Sequence, residues 1–145
     1  MPEVHIPLIM EDIPPKGIHI FIKGKIQRKR VRFLIDTGAS KSVIDHDFTL
    51  RNFPYTRRII TEHQTTGLGA NIPNACFIKL RGIYLGKYKI SPVLFAQLDL
   101  STVNEAYTSA LLDPVVAIIG GDVLKQYRMI IDYDKCLLTF QAPYQ

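Results

Sequence analysis

Short runs of β-branched and aromatic residues recur along the chain, and most of them predict strands. Ile18-His19-Ile20-Phe21-Ile22 and Val31-Arg32-Phe33-Leu34-Ile35 flank a basic stretch, Lys23 to Arg32, that reads as the turn of a hairpin. The second of these strands runs directly into Asp36-Thr37-Gly38. Ser42 to Leu50 reads as a short helical turn ending before Asn52-Phe53-Pro54. Ile59-Ile60-Thr61 then leads through Glu62 to Gly69 into Ala70-Asn71-Ile72, and the closely spaced Gly67 and Gly69 predict a mobile hairpin tip. Further strands are expected at Cys76 to Leu80, Ile83 to Leu85, Tyr88 to Ile90 and Val93 to Ala96, with Gly86-Lys87 as a turn.

One segment changes period. Thr102-Val103-Asn104-Glu105 reads as a capping box, and Val103, Ala106, Tyr107, Ala110 and Leu111 follow at helical spacing, with Pro114 closing the helix. Val115 to Ile119 returns to strand and meets Gly120-Gly121, after which Asp122 is expected to cap a short helix reaching Tyr127. Met129-Ile130-Ile131 and Leu137-Leu138-Thr139-Phe140 form a closing hairpin around Tyr133-Asp134-Lys135. No linker, repeat or low-complexity tract interrupts residues 1–145, so the expectation is one mainly β domain with short helices.

Composition narrows the class. Apolar residues make up 47% of the chain, which excludes a disordered one, and no apolar run is long enough to span a bilayer. Met1 to Ile6 lacks the features of a signal peptide, and Cys76 and Cys136 stand far apart as reduced thiols, so a cytoplasmic location is expected. The net charge of +5 and pI near 9.3 raise the possibility of a polyanionic partner. Yet the main cluster, Lys23 to Arg32, falls at the expected turn, where charge is normally solvated, and no aromatic stacking platform accompanies it. Nucleic acid is therefore the weaker expectation. Asp45-His46-Asp47 reads as a solvated surface segment, not a metal site. His5, His19 and His63 are isolated and receive no role, and no cofactor motif is found.

The chemistry centres on Asp36. A carboxylate at the end of an apolar strand sits at the edge of a low-dielectric core, Thr37 adds a short hydroxyl, and Gly38 permits close backbone approach. By itself the tripeptide equally fits a strand ending in an Asx-turn. The surrounding run, Phe33-Leu34-Ile35-Asp36-Thr37-Gly38-Ala39-Ser40, resembles the active-site signature of retropepsin-like aspartic peptidases. Far downstream, Val116-Ala117-Ile118-Ile119-Gly120-Gly121-Asp122-Val123-Leu124 looks like the apolar-apolar-Gly element and helix that complete the ψ-shaped loop of that family. Met129 to Phe140 is similar to the closing hairpin of its bacterial members. The resemblance covers Ile18 to Phe140.

That resemblance implies an acid-protease barrel with one lobe per chain, closed by a flap hairpin. It also implies hydrolysis of peptide or protein substrates. Asp36 corresponds to the catalytic aspartate, and Thr37 to the threonine that locks the two active-site loops together across a dimer. Gly38 corresponds to a carbonyl offered to the substrate, with Ala39 beside it. Gly67, Leu68 and Gly69 fall where the flap tip belongs, and Ile119 and Gly120 where the loop around the aspartate is supported. The helical stretch Thr102 to Leu112 and the Ala at 117 depart from the common pattern.

Aspartic peptidases use two carboxylates that share a proton, and only one apolar-Asp-Thr-Gly segment exists here. A homodimer contributing two copies of Asp36 is therefore expected. The competing readings are a peptide-binding module of the same fold without catalysis, and a basic nucleic-acid-binding domain.

Overall fold

The computed structural model describes residues 2–61 and 75–143. The expected flap tip, with Gly67, Leu68 and Gly69, lies outside the described residues.

Thirteen strands and three short helices are described. The first strands are β1 (Glu3–Pro7), β2 (Ile9–Ile13), β3 (Gly17–Ile26), β4 (Lys29–Ile35) and β5 (Val43–Asp45). Helix α1 (His46–Asn52) leads to β6 (Arg58–Thr61), β7 (Ala75–Leu80), β8 (Ile83–Leu85), β9 (Tyr88–Lys89) and β10 (Val93–Leu98). Helix α2 (Ser101–Ser109), β11 (Ala117–Ile119), α3 (Gly121–Gln126), β12 (Ile130–Asp132) and β13 (Leu137–Gln141) complete the order. The mainly β reading with short helices is borne out.

The large sheet has the order β6-β7-β10-β5-β11-β4-β3-β8-β9, with β2 also paired to β3, and a smaller sheet has the order β1-β13-β12. Most neighbours are antiparallel, but β4–β11 and β5–β10 are parallel, which joins segments far apart in sequence. The core lies on one face of the β3–β4 hairpin. Ile22, Ile26 and Phe33 are wholly buried there with Ile44, Ile78 and Ile119. Burying each such side chain contributes about 1.5–3 kcal/mol. A second cluster on the opposite face joins Phe21 of β3 to Ile13, Val115 and Tyr107 of α2, so the middle of β3 is buried on both sides.

Several local expectations are corrected. The hairpin turn is only Gln27-Arg28, because Ile26 pairs with Lys29 and Gln27 takes the left-handed conformation at φ 55°. Most of the basic stretch is therefore strand. Val43 to Asp45 is strand rather than helix, and Asp45 starts α1 by accepting from Phe48 N–H at 3.2 Å. The capping box at Thr102 does not form. Leu100 is the N-cap of α2 and carries no side-chain cap bond, while Asp99 just before it accepts from Ser101 N–H at 2.9 Å, so the helix begins earlier and Thr102 and Glu105 lie inside it. Nor does Pro114 end it. Leu111 turns left-handed at φ 62°, Leu112 N–H bonds Tyr107 C=O at 2.9 Å and Leu111 N–H bonds Thr108 C=O at 3.0 Å, a Schellman termination. The alternation Val4, Ile6, Leu8 marked the unpredicted β1, whose partner β13 lies at the other end of the chain. No helix among the described residues is long and apolar enough to cross a membrane.

Candidate active site

Strand β4 carries Asp36 to the surface from a buried origin. Phe33 and Ile35 point into the core, and Ile35 pairs in parallel with Ile119 of β11. The ladder extends one step further, since Asp36 N–H donates to Ile119 C=O at 3.0 Å. The chain then turns on itself. Ala39 N–H bonds Asp36 C=O at 3.2 Å, and Gly38 N–H donates to Asp36 Oδ1 at 2.9 Å. One carboxylate oxygen is thus oriented by its own loop. Asp36 is half-buried, whereas Thr37 and Gly38 are exposed.

The downstream segment crosses behind this loop. Gly121 N–H donates to Ala39 C=O at 2.7 Å, and Gly120 N–H donates to Ser42 Oγ at 2.9 Å. A β-carbon at Gly120 would stand 2.5 Å from the Ala39 carbonyl oxygen and 3.0 Å from Lys41 C, so only glycine allows this crossing. Ile119 and Gly120 therefore contact the Asp36 loop through backbone. Ala39 uses both its N–H and its C=O internally, and its side chain is half-buried.

Asp122 does not cap α3. Gly120 is the N-cap, and the Asp122 carboxylate reaches back to the wholly buried Ser42. Its Oδ1 accepts from Ser42 Oγ at 2.7 Å and from Ser42 N–H at 3.0 Å, while Lys41 Nζ stands 3.4 Å from Oδ2. Ser42 in turn accepts from Gly120, so one serine ties the end of the Asp36 loop to both Gly120 and α3. Neither Ser42 nor Asp122 carries a local sequence signal for this role, because they are remote in the chain.

A cavity of about 270 Å³ opens beside Asp36, lined by Ile18, His19, Leu34, Thr37, Ile131 and Tyr133 among others. Among the described residues Asp36 is the one acidic side chain lining it. His19, given no role from sequence, forms part of this wall. Its Nδ1 lies 2.9 Å from the Tyr107 hydroxyl, and Tyr107 also meets Phe21 edge-on at 5.1 Å. Burial and, second, the charge of Asp36 push the Tyr107 phenol up to about 12, against the opposing pull of Arg32. Tyr107 therefore stays protonated at neutral pH. Asn104 docks the same helix by bonding both the N–H and C=O of Val115, at 2.8 and 2.9 Å.

The geometry has relatives. The fold is similar to a retropepsin-like aspartic protease from Rickettsia conorii, with 20% identity over 96% of this chain and 89% of that one, at a TM-score of 0.55. It is also similar to the retroviral protease-like domain of Ddi1 from Leishmania major. There the identity is 19% over 85% of this chain and 88% of the other, with a TM-score of 0.54. No curated protein sequence matches the chain. The aspartyl protease family model matches residues 22–123, from the core of β3 through the crossing at Gly120 into α3. With that span and a retropepsin-like fold, the chain belongs to the aspartyl protease family.

Proposed function

We propose that the chain is an aspartic endopeptidase whose catalytic carboxylates are two copies of Asp36 brought together in a homodimer. The observation that carries the proposal is the setting of Asp36. An apolar strand delivers it, Gly38 N–H and Ile119 C=O hold its side chain and backbone, and its half-buried carboxylate borders a cavity.

Two carboxyl groups about 3 Å apart cannot both ionise, so the pair holds one proton between them. The ionised partner takes a proton from a water, which attacks the scissile carbonyl carbon. The protonated partner hydrogen-bonds the carbonyl oxygen and stabilises the tetrahedral intermediate. Because the cavity wall offers no second acid among the described residues, the twofold copy is the source this reading requires. Apolar surface beside the site supports it. Ile18 and Tyr133, both lining the cavity, are 56% and 63% exposed, and Ile130 on the outer strand β12 is 60% exposed. The exposed Thr37 hydroxyl suits a contact across the same axis. Gly38 offers its carbonyl to substrate in this scheme, and Gly67, Leu68 and Gly69 would cover it.

The test joins assembly to activity. Wild-type protein should sediment as a dimer and cleave members of a peptide library. Asp36→Asn should keep the dimer and lose about 10³-fold or more in kcat/KM. A monomer that cleaves, or equal cleavage by both proteins, contradicts the scheme. Peptide binding with no cleavage across acidic and neutral pH favours a non-catalytic binding module.

A further inference from the structure

We infer that the outer face of the β3–β4 hairpin is a docking cleft for an extended acidic segment of a polypeptide. Its role in selecting substrates rests on the peptidase reading above. Its binding does not.

The cleft has a volume of about 730 Å³. It lies between the hairpin, the turn linking β8 to β9, and the segment that leads into β11. Five cations line it, Lys23, Lys25, Arg30, Arg32 and Lys87, against one acid, Asp113. The chain as a whole carries only +5, so its imbalance is gathered largely here. The strand register makes the cluster regular. Lys23 pairs directly with Arg32, and Lys25 with Arg30, so each pair puts like charges side by side on one face. Such pairs repel, and little internal charge relieves them. Among the described residues no carboxylate lies within ion-pair distance of Lys23, Lys25, Arg30 or Lys87. Arg32 stacks on Phe21 with its guanidinium carbon 4.0 Å from the ring centroid, and its nearest carboxylate oxygen, on Glu11, is 4.0 Å away. Its Nε and Nη2 are buried and have no hydrogen-bond partner among the described residues, so this part of the guanidinium adds positive potential to the cleft and not a direct contact. The arrangement is complementary to an anion that the chain itself does not supply.

Spacing and lining choose the anion. The cation pairs repeat at every second residue of a strand, about 7 Å apart. An extended peptide with acidic side chains at alternate positions has the same repeat. Val31, Pro114 and Val116 add apolar walls suited to the intervening residues, and among the described residues no aromatic ring lines the cleft itself; the nearby Tyr84 ring, 5.9 Å from Lys25 Nζ, is a single ring and not a stacking platform. Arg32 precedes Asp36 by four positions on one strand, so a substrate anchored here must extend at least about four residues beyond its scissile bond.

The experiment uses full-length Asp36→Asn protein, so that cleavage does not intrude. A labelled peptide with glutamate at alternate positions should bind at least about tenfold tighter than the same peptide with glutamine, and the difference should shrink as salt rises. The double substitution Lys25→Gln and Arg30→Gln, and Arg30→Gln alone, should abolish or reduce that preference while thermal midpoints stay near the parent value. Equal binding of both peptides overturns the proposal, as does tighter binding of a single-stranded oligonucleotide. In active protein, adding the acidic segment to a cleaved peptide should lower KM and leave kcat unchanged. The double variant should erase that gain without altering cleavage of a short neutral peptide. Glutamate-dependent binding by the Asp36→Asn protein, together with no cleavage of any library peptide by the wild-type protein, would refute the peptidase reading alone.

Discussion

The two halves of β4 treat polar groups in opposite ways. At its C-terminal end, around Asp36, the backbone and side-chain groups are tied to one another: Asp36 to Ile119 and Gly38, Ala39 to Gly121, Ser42 to Gly120 and Asp122. At its N-terminal half, Arg30 and Arg32 stand beside Lys25 and Lys23 with few internal partners. The first arrangement holds a carboxylate in one geometry, which acid–base chemistry demands. The second leaves charge available to something outside the chain. A single strand thus separates rigidity at the candidate active site from unsatisfied charge at the candidate docking cleft, about four to six residues away.

The sharpest way to break this contrast is to disturb the crossing. Gly120→Ala should destabilise the fold by about 3 kcal/mol, because its β-carbon must displace the Ala39 carbonyl, and peptidase activity should fall with it. Denaturant unfolding measures the first effect and kcat/KM the second; an unchanged variant would mean that the close approach does not hold the loop. Ser42→Ala should cost somewhat less, roughly 2 kcal/mol, by leaving the buried Gly120 N–H unsatisfied and removing a donor from Asp122. If the loop matters for catalysis, kcat should fall more than KM rises, whereas a purely global loss of stability would leave both unchanged at temperatures well below melting.

The smallest expected effect lies on the face that links the two regions. Tyr107→Phe should cost about 1 kcal/mol near neutral pH through the lost contact with His19. The wild-type phenol is held above its ordinary value, so folding disfavours its ionised form. Its contribution is complete below about pH 10 and declines as pH rises towards about 12. The phenylalanine variant should lack that component, so the gap between the two melting temperatures should narrow above pH 10. A constant gap across that window would show that Tyr107 titrates normally.

Much of the site was legible in the chain. The apolar run into Asp36-Thr37-Gly38 and the distant Ile118-Ile119-Gly120 both stand out in the sequence, and they meet as parallel β4 and β11. Strand positions are legible where alternation or β-branched runs are clear. Errors came where a short-range signal competed with a partner elsewhere. The glycine and charges of Lys23 to Arg32 resemble a turn, yet pairing with β4, and of β3 with β8, extends the strand to Ile26. Val43 to Asp45 fits a helical turn locally, but β10 and β11 flank it on either side and draw it into the sheet.

From residue types and their local order came the strand-rich class and the carboxylate at the end of an apolar strand, while the family resemblance pointed to the glycine downstream. Only the folded chain decided that Ser42 would face Asp122, that His19 would share a cavity wall with Asp36 and meet Tyr107, and that four cations would align as two cross-strand pairs. The reason is physical. Backbone preference and burial act over a few neighbouring residues, whereas these contacts depend on register and on chain crossings between segments tens of residues apart, which no local pattern specifies.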